Sequence, residues 1–379
     1  MSRYWIAAIL CAAGAAAWTA GRPGEIPFAK HTLDLGASET CAVTDVNGDG
    51  KPDIVSGEYW YEGPRWVKHQ FRTLPFSNNY IDDFSDLPVD VNGDGRPDIV
   101  SCAWFAQRLW WSENPGRTGA AWKEHTIEAG APIEFAFLVD LANRGQARDV
   151  LPQFGSEKTP LAWYEPARGG FQKHVVSARS YGHGIGAGDV NGDGRADILT
   201  PKGWFEAPPD PRAGDWKFHP AFDLESTGFL FVLDVDGDGL GDVVTSYAHN
   251  YGVFWMRQLP GGAFSKPIMI DDSWSQPHAV TLADLNGDGR MELVTGKRFM
   301  AHNGKDPGER EPLGVYWYEY RKTADGKSVE WVKHLLDYGG RTGGGMQIAV
   351  ADLDGDGDPD IVTPGKSGLF LFDNLTQKK

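Results

Sequence analysis

The sequence predicts an all-β, seven-bladed propeller of four-stranded blades, with an N-terminal strand completing the last blade. Three observations predict it. A nine-residue Asp/Asn/Gly motif recurs along the chain, each copy is followed by β-type runs, and an aromatic-x-x-His slot runs one strand out of step with the motif.

The motif reads DVNGDGKPD at 45–53, DVNGDGRPD at 90–98, DVNGDGRAD at 189–197, DVDGDGLGD at 234–242, DLNGDGRME at 284–292 and DLDGDGDPD at 352–360. Where the spacing doubles, Asp140-Leu-Ala-Asn-Arg-Gly-Gln-Ala-Arg-Asp149 stands as a degenerate copy one residue longer. First aspartates at 45, 90, 140, 189, 234, 284 and 352 mark seven repeats of 45 to 68 residues, a period typical of blades or solenoid units.

Each motif leads into a β-branched run (IVSG at 54, IVSC at 99, ILTP at 198, VVTS at 243) and then an aromatic strand such as WYEG, LWWSE or VYWYE. Val, Ile, Thr, Trp and Tyr bounded by Gly, Pro and Asp are strand signals, and four strands per repeat make a blade.

The aromatic-x-x-His slot occurs at Trp66–His69, Trp122–His125, Phe171–His174, Trp216–His219 and Trp331–His334, with Pro267 replacing His after Phe264. No copy follows the last motif, and one precedes the first, Phe28-Ala-Lys-His31. A ring closed by the N-terminal strand accounts for the displacement and removes the exposed sheet edges that invite aggregation.

Residues 1–17 read as a signal peptide: Arg3, an alanine-rich apolar run and the small residues Ala15 to Ala17, with cleavage as late as residue 20 also compatible. The run is too short for a span, which needs roughly 20 apolar residues, and Ala8-Ile9-Leu10 before Cys11 lacks the small residue of a lipoprotein signal. A secreted or periplasmic propeller over residues 22–379 follows. Only Cys41 and Cys102 survive cleavage, and two buried free thiols are the favoured reading over a bridge.

The formal charge of −16, or −17 without Arg3, excludes nucleic acid and anionic lipid as partners, because both are bound by basic residues. Much of the acid has another use. Calcium takes six to eight oxygen ligands at about 2.3–2.6 Å. Asp45, Asn47, Asp49 and Asp53 offer them at positions one, three, five and nine, the Lys51 carbonyl can add another, and Gly48 and Gly50 permit the tight path. The equivalent sets are Asp90, Asn92, Asp94 and Asp98; Asp189, Asn191, Asp193 and Asp197; Asp234, Asp236, Asp238 and Asp242; Asp284, Asn286, Asp288 and Glu292; and Asp352, Asp354, Asp356 and Asp360. Six ions would offset most of the charge. EF-hand and dockerin-like readings need helices beside the loop, whereas strands flank every copy; an ion-free Asx turn would leave like charges crowded. The degenerate copy, with Asn143, Arg144 and Gln146, is expected to be empty.

At these loops the chain resembles the FG-GAP/VCBS repeat family of calcium-binding propellers, as in integrin α-subunit heads and some lectins. The resemblance spans about residues 26–375 and implies fold rather than activity. More weakly, the chain looks like the propeller portion of aldos-2-ulose dehydratases, sugar lyases that carry an axial metal; their cupin domains have no counterpart here.

The slot histidines read as structural, leaving His183, His249, His278 and His302. Six residues upstream of each first aspartate stand Glu39, Phe84, Glu134, His183, Gly228, His278 and Met346, which should ring the axis opposite the calcium loops. Loops returning to that face carry Lys202, His249, Lys297, Arg298 and Lys366, and an insert over 299–312, containing His302 and Asp306, should overhang it as a lid or wall.

Ionisable and aromatic residues converging there suit a polyhydroxylated or anionic ligand, so a carbohydrate-directed binding protein is expected, with Glu39, Glu134, His183, Lys202, His249, His278, Lys297, Arg298 and His302 as candidate contacts. The alternative is a lyase or dehydratase acting on a keto-sugar, in which Glu39, Glu134, His183 and His278 hold Zn2+ or Mn2+ and a nearby base such as His302 or Lys297 takes a proton. A solvated funnel mouth would also be polar, and a protein partner stays open. His183-Gly-Ile-Gly-Ala-Gly188 runs into a calcium loop rather than a helix and is no dinucleotide fingerprint.

Overall fold

The structure, a computed structural model, describes residues 25–377; the expected signal peptide lies outside them. Apart from one short 3-10 turn at Pro211–Ala213, its regular elements are strands. No described helix is long and apolar enough to cross a membrane.

The chain is a β-propeller, but the expected seven-bladed ring of separate four-stranded blades is corrected. Five blades stand as independent four-stranded sheets. The strands following the degenerate copy's blade, from Ile185–Gly188 through Ile268–Ser275, instead form one continuous eight-stranded sheet, apart from the small hairpin of Gln258–Leu259 and Ala263–Phe264. Its two halves join where Ile185–Gly188 runs parallel to Phe229–Leu233, with Gly186 opposite Leu230. The physical reason is the glycine spacing. A Cβ on Gly186 would lie 1.9 Å from the Leu230 carbonyl oxygen, and one on Gly188 2.6 Å from Val232 Cβ, so only a stripe without side chains lets two inner strands approach to hydrogen-bonding distance.

The N-terminal strand Phe28–Asp34 pairs antiparallel with Gly368–Asn374 and forms the edge strand of the C-terminal sheet. Each blade packs on its neighbours through buried β-branched and aromatic residues, among them Ile54, Ile99, Val150, Ile198, Val243, Leu293 and Ile361, all essentially inaccessible. Cys41 and Cys102 are free and buried, and burial pushes both thiols up.

The slot histidines are part of this packing. His69, His125, His174, His219 and His334 stack on Trp60, Trp111, Trp163, Trp204 and Trp317 at 3.7–4.3 Å. The first four also meet a glutamate of the aromatic strand (Glu62, Glu113, Glu165, Glu206) at 2.7–3.1 Å. Alternation puts Trp on one face of its strand and the outer strand's His directly opposite, as in the pairs Trp60–His69 and Trp111–His125.

Candidate functional site

The Asp/Asn loops are built alike. In the first, Asp45 accepts the Gly48, Asp49 and Gly50 amides at 2.7–3.1 Å, and Gly48 and Gly50 have φ of 76° and 82°, a left-handed path that glycine adopts freely. Asp53 is buried and accepts the Val46 and Gly63 amides, tying the loop to the sheet. Burial lifts the carboxyls equivalent to Asp53: Asp98, Asp197, Asp242 and Asp360 to about 6 and Glu292 to about 8. Donor oxygens of Asp234, Asp236 and Asp242, and of Asp352, Asp354 and Asp356, lie within 4.8 Å of one another.

The degenerate loop carries its own cation. Asp149 accepts the Ala142 amide as Asp53 accepts Val46, and the Arg144 guanidinium binds Asp149 and, at 2.6 Å, Glu165. Arg144→Ala would leave the fully buried Asp149 carboxylate without its counter-charge, and should cost about 1–3 kcal/mol in denaturant unfolding. Its calcium dependence should match the parent protein; an unchanged midpoint would show the guanidinium to be dispensable.

At the opposite ends of the inner strands, Glu134, His183, His249 and His278 bring one donor atom each within 4.8 Å. His183 Nε2 is 2.9 Å from Glu134 Oε2 and 3.0 Å from His249 Nε2. Glu134 Oε1 lies 3.7 Å from His278 Nε2 and 3.9 Å from His249 Nε2. Backbone pairing at the strand seam fixes His183: its carbonyl accepts the Thr227 amide, and its Nδ1 meets the Thr227 carbonyl at 2.8 Å. That bond leaves Nε2 facing the cluster.

The electrostatics are unbalanced. Burial alone would raise Glu134, but His183, His249 and Arg298 outweigh it and hold the carboxyl far below its usual range. Burial, with the charge on His183, drops His249 to about 4; burial and Arg298 drive His278 well below an ordinary histidine. His278 is 3% exposed and neither ring nitrogen has a hydrogen-bond partner. Buried polar groups are nearly always satisfied, and an unsatisfied one costs about 1–3 kcal/mol.

Of the residues expected on the axial ring, Glu134, His183 and His278 come together and Glu39 does not. Arg298 Nε binds Glu39 Oε2 at 3.0 Å, while its Nη1 reaches Glu134 Oε1 at 3.4 Å. His249, and not Glu39, completes the group of four converging donors. Lys202 binds Asp223 and the Leu224 carbonyl, away from the cluster. Lys297 is buried against Ser275 Oγ at 2.7 Å, and burial lowers its amine. Lys366 donates to the Met300 carbonyl at 2.8 Å and sits 3.6 Å above the Tyr80 ring; burial brings it down to about 8.

The insert is a wall rather than a loose lid. Glu309 accepts the His302 amide, Asn303 contacts Asn78 and Asn79 at 3.3 Å, and Tyr251 donates to Glu311 at 2.5 Å. Sequence reasoning missed two contributors, Asp306 as a partner of His249 and Tyr80 beneath Lys366, because neither falls on the repeat.

Residues 234–295 and 303–363 match the FG-GAP-like repeat model. No curated protein matches the chain significantly. BBS1N, solved in complex with ARL6DN, is 12% identical with TM-score 0.57, covering 93% of this chain and 98% of its own. A lectin of Agrocybe aegerita described as recognising non-reducing terminal N-acetylglucosamine is 19% identical with TM-score 0.48, covering 93% and 92%. Rhamnogalacturonan lyase YesW is 13% identical with TM-score 0.48, covering 93% and 75%. The likeness to BBS1N speaks for the propeller fold alone.

Proposed function

We propose that this protein is an exported, calcium-stabilised propeller whose axial face holds a divalent transition metal and binds a carbohydrate-class ligand. His278 carries the reading: a buried imidazole with two unbonded nitrogens, beside two imidazoles and a carboxylate that converge on the same space. A shared cation would satisfy all four. Metal–nitrogen bonds of about 2.0–2.1 Å in a tetrahedron imply donor separations of roughly 3.4 Å, and the separations of 2.9–3.9 Å, taken to one or the other Glu134 oxygen, bracket that value.

Imidazole with one carboxylate suits Zn2+ or Mn2+. A tetrahedral zinc would be closed by four donors, whereas a six-coordinate ion such as Mn2+ would keep two positions for vicinal hydroxyls. The partly exposed His183, His249 and Asp306 leave a route in, and the half-exposed His302 offers a ring and a hydrogen-bonding nitrogen beside it.

Changing His183 and His278 together to alanine should weaken Mn2+ or Zn2+ binding by more than about 100-fold in calorimetry and abolish metal-dependent sugar binding, because direct donors matter more than their outer supports. Thermal response to calcium should persist. A double variant that binds metal and sugar like the parent would refute the axial site.

A second reading, a sugar lyase, is favoured by Lys366, an amine that burial brings to about 8 and that lies 3.9 Å from Glu39, whose partner Arg298 reaches Glu134. A bound metal would supply polarisation of a carbonyl; the amine would take the α-proton and pass it on to the β-hydroxyl, which leaves as water as the C–O bond breaks. Growth of enone absorbance from a keto-sugar would decide for the lyase, and binding without it for the module.

For the six complete loops we propose calcium. The oxygen-only donor sets, the repeated glycine turns and the carboxyls that burial raises all favour a hard cation there.

A further inference from the structure

Asp306 stands outside the quartet, on the 299–312 insert, and one of its oxygens serves two rings. Oδ2 lies 3.1 Å from His249 Nδ1 and 2.8 Å from His302 Nδ1. The rings stack at 4.4 Å with 19° between their planes. A carboxylate only accepts, so each Nδ1 donates to it, and the neutral ring of His249 keeps its lone pair on Nε2. For His249 that lone pair points at His183 Nε2, 3.0 Å away, and so into the quartet.

We propose that Asp306 is the positioning residue of the axial metal centre, making the insert a working part of the site. The inference rests on the metal reading above and goes beyond it. His183 obtains the same tautomer from the Thr227 carbonyl; His249 has no backbone acceptor and depends on a side chain carried in by the insert. Metal-bound histidines characteristically donate their second nitrogen to a carboxylate or carbonyl, and loss of that partner costs about 10–100-fold in metal affinity. The insert is anchored through Asn303, Glu309 and Glu311, so Asp306 is held in place before any metal arrives. The same carboxylate orients His302, whose half-exposed ring then faces the mouth of the site.

Cobalt(II) tests this directly, since its visible absorption reports ligand geometry independently of activity. The full chain, kept in excess calcium, is titrated with Co2+ and followed by calorimetry and absorption. Asp306→Ala should weaken Co2+ binding by about 10–100-fold and alter the visible band, while Asp306→Asn, which keeps an acceptor oxygen, should fall between it and the parent. Lys305→Ala, an exposed change on the same insert, should match the parent. An Asp306→Ala protein with parental affinity and spectrum overturns the proposal. So does a second Co2+ equivalent that disappears with His302→Ala, which would give His249, His302 and Asp306 an ion of their own. If the parent itself takes no Co2+, the axial metal reading fails and this one with it. Should Asp306→Ala fail to fold, the Asp306→Asn comparison decides.

Discussion

Stripping calcium with a chelator should collapse the thermal stability of this protein, and restoring calcium should recover it. Binding to the native state alone adds about 2.7 kcal/mol per site at one hundred times Kd. Six independent sites would together contribute roughly 16 kcal/mol, as much as the whole stability of an ordinary domain, about 5–15 kcal/mol. The chelated protein should therefore be largely unfolded at room temperature rather than slightly softened. The charges explain the direction: without a cation, Asp45, Asp49 and their neighbours face each other across a tight turn, and burial makes the charge on residues such as Asp197 costly, lifting that carboxyl to about 6. Asp49→Asn or Asp193→Asn should each remove about one site's share, near 2.7 kcal/mol. Magnesium should substitute poorly, because it demands a smaller octahedral cage and sheds water reluctantly. A melting temperature that ignores the chelator would end the calcium reading.

Deleting residues 25–34 should be the most damaging truncation available. The strand Phe28–Asp34 makes an unbroken run of pairs from Phe28 opposite Asn374 to Thr32 opposite Phe370. It also bridges the ring's two ends, since Asp34 accepts the Tyr61 hydroxyl at 2.6 Å while Lys30 reaches Asp337 at 2.6 Å. Its loss would open the edge of Gly368–Asn374 and uncover the side of the core where Ile26 and Phe28 pack near Phe370 and Phe372. An open apolar edge recruits other chains. The shortened protein should aggregate on expression or lose a large fraction of its stability, while a monomer with the parental melting curve would show that the closure is ornamental.

What could be read from the sequence was whatever the repeat controls. The loops are contiguous, so Asp45 to Asp53 announce themselves in one line, and His69 or His125 could be set aside as structural because they recur in register with a tryptophan strand. Glu134, His183 and His278 were placed at the axis by the same bookkeeping. His249 and Asp306 come from segments without a periodic position, and their meeting depends on how the insert folds back. Glu39 stands apart from the converging donors because no repeat logic foresees Arg298 turning inward to take it. The merged eight-stranded sheet was hidden for a related reason: Gly186 and Gly188 act by having no side chain, and an absence leaves no pattern to count.

That glycine seam bears on how freely this ring could be re-cut. Circular permutation is generally tolerated at exposed loop tips of domains whose termini lie close together. Here the boundary between Gly188 and Phe229 is hydrogen-bonded along its inner strands, and His183 and Thr227 clasp each other at its mouth. New ends opened between those strands would unzip the backbone that aims His183 at its neighbours, whereas a break at the exposed turn around Gly261 would spare it. The ring is equal in its repeats and unequal in its divisibility.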